Sequence, residues 1–243
     1  MIKDKIDKAK QIALKTSGLN LPKSLLVIPD GNGRWAKHAG LSVAEGHRNG
    51  GVTVARILKH FVDVDINVLG VWGFSEDNWK REKSEIGNII DVIENTAKEN
   101  LDFMVKNNIR FLLLGSRDRL RVEYPNFIKT IEETENKTAN DNGKTLAIFV
   151  DYGEKYQLEQ YAKAREVDKT STTYELLSKI NAGLPLFDMV LRTSGEHRMS
   201  GFGPLGSLAE FVSIKKNLPD LTDNDILQAL KEFSGRQRRF GGR

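Results

Sequence analysis

The 243-residue chain contains no cysteine. That absence excludes disulfides and thiolate metal centres and gives no sign of an oxidising compartment. Also missing is any run of ~18 apolar residues, so no membrane-spanning helix is expected. Residues Met1 to Lys15 alternate lysine and aspartate with isoleucine and alanine. They read as a charged amphipathic helix without the apolar core of a signal peptide, and a cytoplasmic location follows as an expectation. No internal repeat or low-complexity linker divides the chain; its loosest stretch, the Thr-rich Glu166 to Thr173, reads as a surface connection. A single domain over residues 1–243 is expected, with a hydrophobic content of 39% sufficient for a real core. The net charge of +4 fits anionic substrates, an acidic lipid surface or nucleic acid without choosing among them.

What is present is a regular alternation. Six apolar runs have strand character: Leu25 to Pro29, Val68 to Phe74, Ile109 to Gly115, Thr145 to Val150, Phe187 to Arg192 and Ala209 to Ile214. Helical patterns fall between them at Gly46 to Val62, Glu85 to Lys106 and Phe127 to Asn140, with another at Asp223 to Phe233. Strands alternating with helices predict an α/β fold, a mostly parallel six-stranded sheet flanked by crossover helices. In such sheets ligands bind beyond the carboxyl ends of the strands. Asp30, the segment Ser75 to Arg81, Asp151 and the segment Arg192 to Ser200 all follow strand runs and can converge on one mouth.

The run Ile28-Pro29-Asp30-Gly31-Asn32-Gly33-Arg34-Trp35-Ala36 is the most telling of these. Its glycines let backbone amides turn toward an anion, Arg34 adds a forked donor, and Asp30 can hold a divalent cation against the same anion. Alone, it fits an acid-capped turn equally well. Gly46-His47-Arg48 reads as the opening of a helix, where amides and dipole favour an anion. Two arginines and a serine in Arg192 to Ser200 form a second clamp for a diphosphate, or surface ion pairs. Asn142-Gly143-Lys144-Thr145 imitates the end of a phosphate loop, but Thr138 occupies the position of its first glycine.

In order along the chain stand DGNGRWAKHAG, GHRNG, FSEDNWKRE, RTSGEHRMS followed by Ala209-Glu210, and the terminal Arg238-Arg239-Phe240-Gly241-Gly242. Together these resemble the cis-prenyltransferase family, whose best-known members make undecaprenyl diphosphate. The resemblance implies repeated condensation of isopentenyl diphosphate onto an allylic diphosphate, each addition leaving a cis double bond. By position, Asp30 would hold Mg²⁺, and Gly31, Asn32, Gly33, Arg34, Trp35 and His47 would bind the allylic substrate. Arg192, Arg198 and Ser200 would hold isopentenyl diphosphate, with Ser75 and Asn78 near the carbon that loses its proton, making Asp30 and Asn78 the catalytic pair. Trp79 and Arg81 would brace the turn and the substrates. Glu210 and His197 would complete the metal site. An apolar tunnel would lie between the sheet and helices including Glu85 to Lys106. The tail implies a homodimer in which Arg239 and Gly241 reach the partner's isopentenyl diphosphate site, and a lipid product implies peripheral membrane contact. No nucleic-acid partner is implied. The paired aspartates DDxxD of trans-prenyltransferases are absent.

The chain departs from the family pattern at four places. Val43 stands where many members have an arginine, Asp151 and Glu154 stand where an asparagine and a glycine are usual, and Gly201 to Gly206 replaces an aromatic segment. Acids at the mouth would weaken diphosphate binding or reshape the metal site. Alternatives therefore stay open: a short-chain or irregular prenyl diphosphate synthase, or a non-catalytic family subunit, although the latter would be expected to lose Asp30, Arg34 or the arginine clamp.

Overall fold

The computed structural model describes residues 15–140, 142–239 and 242. The expected helix Met1 to Lys15, all but its last residue, and Gly241 lie outside the described residues. Six strands, β1 (Ser24–Ile28), β2 (Val68–Ser75), β3 (Ile109–Leu114), β4 (Lys144–Tyr152), β5 (Met189–Arg192) and β6 (Glu210–Ser213), form one sheet in the order β3-β4-β2-β1-β5-β6. Every neighbouring pair is parallel, so the sheet is wholly rather than mostly parallel. All five residues of the central β1 are buried, as expected for a strand covered on both faces. Leu25 and Val27 join one core and Leu26 and Ile28 the other.

The helices are α1 (Asn32–His38), α2 (Val43–Phe61), α3 (Lys83–Lys106), α4 (Arg117–Glu123), α5 (Pro125–Lys137), α6 (Glu154–Val167), α7 (Thr173–Ile180) and α8 (Asp223–Ser234). Apolar stripes from α2, α3, α5 and α8 bury themselves against the first face. Leu184, Phe187, Phe202 and Leu205, from connecting segments, cover much of the second. Ser42 caps α2 in a reciprocal box with Glu45. At its other end Lys144 Nζ donates to the Phe61 carbonyl at 2.8 Å, which is the work the phosphate-loop imitation does in this fold. The loop expected after Pro29 is short, because α1 begins at Asn32. Gly46 is likewise not a helix opening: it sits one turn inside α2.

Gly46 and Gly50 serve a close approach instead. A Cβ on Gly46 would lie 2.3 Å from the Asn32 carbonyl oxygen, and one on Gly50 would lie 2.4 Å from Asn32 Oδ1. The two glycines, one turn apart, therefore let the start of α1 settle onto α2. Where β2 meets β4, the pairs Trp72↔Phe149, Phe74↔Val150 and Ser75↔Tyr152 leave Gly73 and Asp151 as extra residues, one on each strand. The two bulges compensate, and they turn the strand ends next to the mouth. On the outer edge, α5 covers β3: Leu113 N donates to Glu135 Oε1 at 2.8 Å and Phe111 N to Thr138 Oγ1 at 3.1 Å.

Gly46→Ala should lower stability by about 1–3 kcal/mol through overpacking. In contrast, Gly87→Ala, on α3 where a Cβ meets nothing within 4 Å, should raise it by up to ~1 kcal/mol through helix propensity. Urea unfolding of the two variants checks both signs, and equal destabilisation would refute the close-approach role of Gly46.

Candidate active site

Parallel pairing of β1 with β5 aligns Ile28 with Arg192, so the residues that follow β1 meet the last side chain of β5 across 162 positions of sequence. Thr193 fixes the backbone there: its Oγ1 accepts from Asp30 N at 2.8 Å and donates to Asp30 O at 2.7 Å. The Asp30 carboxylate lies between two guanidiniums, accepting from Arg34 Nη2 at 2.8 Å and from Arg192 Nη2 at 2.9 Å. Arg192 is only 5% exposed, so this carboxylate is the counterion that makes its burial tolerable. Burial opposes ionisation of Asp30, but the hydrogen bonds from Arg192 and Arg34 outweigh it and hold the carboxyl below its ordinary range. Arg192 Nη1 also donates to Ser200 Oγ at 2.8 Å and to the Arg198 carbonyl. Glu196, which carried no role in the sequence reading, bridges Arg34 at 3.1 Å and Arg198.

Gly31 caps α1 at a φ of 97°, and a Cβ there would stand 2.3 Å from Asn217 Oδ1 and 2.5 Å from Ser194 Oγ. No side chain fits. The amides of Asn32, Gly33 and Arg34 belong to the first turn of α1, which has no intrahelical acceptor to offer them. Behind them His47 Nδ1 faces Asn32 Nδ2 at 3.5 Å, while its Nε2 stands 3.6 Å from Glu85 Oε1. Burial pushes the imidazole pKa down and the charge of Arg81 adds to the effect, which favours the neutral form of His47. Arg81 in turn donates to Glu85 at 2.7 Å.

Asp30, Arg34 and His47, with Lys37, Val43 and Arg81, line a cleft of about 620 Å³; Arg192, Arg198 and Ser200 stand behind Asp30 and are not in its wall. Pro29, Asn32 and His47 line this cleft and also a second, apolar cavity of about 90 Å³ between the sheet, α2 and α3. Leu58, Ile89, Met104 and Phe111 wall the deeper part. A charged head and an apolar tail of one molecule would find both.

Other expected residues stand elsewhere. Trp35 Nε1 donates to Asp220 at 2.8 Å and Trp79 Nε1 to Asp151 at 2.7 Å, and neither indole lines the cleft. Ser75 and Asn78 are bound to each other, Ser75 N to Asn78 Oδ1 at 3.0 Å. His197 is exposed. Glu210 begins β6, three residues or ~10 Å before the level of Arg192, and pairs with Arg236 at 3.0 Å. Arg238 binds Asp188, which precedes β5, so the described tail and Arg239 lie near the end of the sheet opposite their own mouth. Among the described residues no three His, Asp or Glu side chains gather as a metal cage. Asp151 is fully buried and paired with Arg119 rather than turned toward the cleft. The Gly201 to Gly206 segment inserts Phe202 and Leu205 into the second core, on the sheet face opposite the apolar cavity.

Because the folded-state pKa of Asp30 lies below its ordinary 3.8, its stabilising contribution is full above that value and is lost as pH falls through the lowered one. Asp30→Asn should therefore flatten the acid limb of a melting-temperature profile between about pH 5 and 2. An unaltered limb would show that the ion pairs with Arg34 and Arg192 are not formed in solution.

The family described as "Putative undecaprenyl diphosphate synthase" matches residues 28–241. An isoprenyl transferase of Rhodopirellula baltica is 33% identical over 234 residues, covering 92% of this chain and 95% of that protein. Isoprenyl transferase 1 of Bradyrhizobium diazoefficiens is 36% identical over 220 residues, covering 89% and 88%. Among solved structures, a "probable undecaprenyl diphosphate synthase" from Campylobacter jejuni superposes with a TM-score of 0.75 at 29% identity, covering 92% of this chain and 100% of that one. Lavandulyl diphosphate synthase from Lavandula x intermedia, solved with dimethylallyl diphosphate, shares the fold at a TM-score of 0.82 and 24% identity, over 91% of this chain and 98% of that one. Matched by the family over most of its length and by relatives at 33% and 36% identity, the chain belongs to the cis-prenyltransferase family of undecaprenyl diphosphate synthases and is an enzyme that transfers prenyl groups.

Proposed function

We propose that the chain condenses isopentenyl diphosphate with an allylic diphosphate, with Mg²⁺, to give a cis-prenyl (polyprenyl) diphosphate. The observation that carries this is the adjacency of an arginine-lined cleft and an apolar cavity, which share Pro29, Asn32 and His47 in their walls. In the reaction the allylic C–O bond breaks, the diphosphate leaves with the electron pair, a C–C bond forms from the double bond of isopentenyl diphosphate, and a proton is lost. Arg34, the first-turn amides of α1 and neutral His47 would bind the departing anion, and Arg192, Arg198 and Ser200 would orient the second diphosphate. The apolar cavity would take the hydrocarbon and exclude water.

The ionised carboxylate of Asp30, held here between Arg34 and Arg192, is the group that would hold Mg²⁺, which commonly takes one or two carboxylates and completes its shell with phosphate oxygens and water. When bound, the cation would neutralise charge developing on the leaving diphosphate. Asn78, with Ser75, is assigned to the neighbourhood of the proton lost. Trp35 and Trp79 would act through the elements they fasten. Arg239 and Gly241 would reach the isopentenyl diphosphate site of the partner in a homodimer, and Glu210 and His197 would complete the metal site; Glu210 and Arg239 lie toward the far end of their own sheet, where a partner's mouth would receive them. No helix among the described residues is long and apolar enough to cross a membrane. A cytoplasmic enzyme meeting the bilayer through its lipid product fits this reading.

Labelled isopentenyl diphosphate incubated with Mg²⁺ and a series of allylic primers should give diphosphates lengthened by five-carbon units, with chelation stopping turnover. Asp30→Ala should reduce kcat by about 10²–10³, the scale of losing one charge-stabilising group, while the protein still folds. Near-normal rates in that variant or in excess EDTA would refute the assignment. Product sizing also separates the polyprenyl reading from a short-chain or irregular synthase.

Val43 is 44% exposed at the cleft, so an arginine there has room to reach the anion. Val43→Arg should lower KM for the allylic primer by about tenfold, the low end of a charged hydrogen bond, and leave KM for isopentenyl diphosphate little changed. An unchanged or higher primer KM would show that this side of the cleft does not hold the allylic diphosphate.

A further inference from the structure

Arg119, on α4, lies outside the cleft. Its Nε stands 3.2 Å from Oδ2 of Asp151, and its guanidinium carbon lies 5.3 Å from the centre of the Trp79 ring. Asp151, whose side chain is 0% exposed, accepts from Trp79 Nε1 at 2.7 Å through Oδ1. The same indole meets Phe74 edge-to-face at 5.3 Å and Tyr124 at 6.2 Å. Residues from β2, β4, α4 and the α4–α5 junction therefore close around one ring.

The backbone explains how Asp151 comes to be there. It is the bulged residue of β4, at a φ of 50°, a conformation that aspartate and asparagine tolerate better than most side chains. Its carbonyl accepts from Ser116 N at 3.1 Å, tying the same residue to the loop that leads into α4. The short 3-10 turn Glu76–Lys80 contains no fully buried residue. Trp79 is its partly buried contact with the main core, and two residues later the chain delivers Arg81 to the cleft.

We propose that the Arg119–Asp151 pair is a positioning latch that holds Trp79, and through it sets the Ser75 to Arg81 turn at the mouth. Arg119 and Asp151 are positioning residues, not catalytic ones, because neither lines the cleft. The role of Arg119 is to compensate a carboxylate that would otherwise be buried without a counterion. Burial already pushes that carboxyl above its ordinary range, Trp79 and Arg119 pull it back, and Glu76 adds to the upward push. The effect on turnover rests on the diphosphate reading of the cleft. The effect on the indole does not.

The test is a cycle of variants. Arg119→Ala strands the charge, so kcat/KM for condensation should fall about tenfold and the tryptophan emission of ligand-free protein should shift to the red. Asp151→Asn keeps an acceptor for the indole and removes the charge; it should stay within about threefold of wild type, and the double variant Arg119→Ala/Asp151→Asn should recover to the same level. Asp151→Leu removes the acceptor, and its loss should not be rescued by Arg119→Ala. Trp79→Phe identifies the part of the emission that belongs to this ring. A purely structural pair would lower the melting temperature and leave kcat/KM, measured well below it, unchanged; that result overturns the latch. So does a double variant no better than Arg119→Ala, or an emission that Arg119→Ala does not move. If wild-type protein proves inactive in condensation while the emission changes follow this pattern, the proposed function fails and the latch stands.

Discussion

The alignment of Ile28 with Arg192 across β1 and β5 is the constraint on which the site depends. Slide that register by one residue and the side chains of the strand would exchange faces. Kept as it is, it delivers a nearly buried guanidinium to the point where β1 has just released Asp30. The hydroxyl of Thr193 then holds the Asp30 peptide from both sides. On the proposed function, an anionic substrate in the cleft would be placed relative to this carboxylate and its two arginines.

Much of the architecture was legible because burial on both faces leaves a plain mark. β1 is five consecutive buried residues, and α2, α3 and α8 carry apolar stripes at helical spacing. The elements that escaped are those whose sequence serves a neighbour. α1 is polar and glycine-bearing because it must lie against Gly46 and Gly50, and so it resembles a loop. The convergence of Asp30, Arg34 and Arg192 could be foreseen from strand ends alone. The direction of Trp79 could not: it follows from paired bulges at Gly73 and Asp151, which no periodicity announces. An aspartate that looked like unwanted charge at the mouth proves to be enclosed with its own arginine.

The sheet also divides the labour of the two cores. On one face α2 and α3 leave an apolar cavity beneath the cleft. On the other, Phe202 packs within about 5 Å of Phe149 and against Trp72, Tyr152 and Phe187. The Gly201 to Gly206 substitution therefore reshapes the packing behind the sheet. It leaves the lining of the cavity to other residues, which makes the segment a poor predictor of how long a hydrocarbon the protein accommodates.

Glu196 gives the cleft a property that a list of its cations would miss. Arg34 and Arg198 are already engaged by one carboxylate, as Arg34 and Arg192 are by Asp30. On the proposed function, a diphosphate entering this site would not neutralise bare charge; it would trade places with anions that the chain carries itself. The site behaves as an ion exchanger whose resting counterions are covalently attached. Net affinity is the difference between two sets of charge-assisted bonds, so it is smaller than the arginine count suggests. When a diphosphate departs, the tethered carboxylates can return without waiting for a solute ion. If the proposed reaction holds, with the same headgroup on product and substrates, release would thereby be made easier.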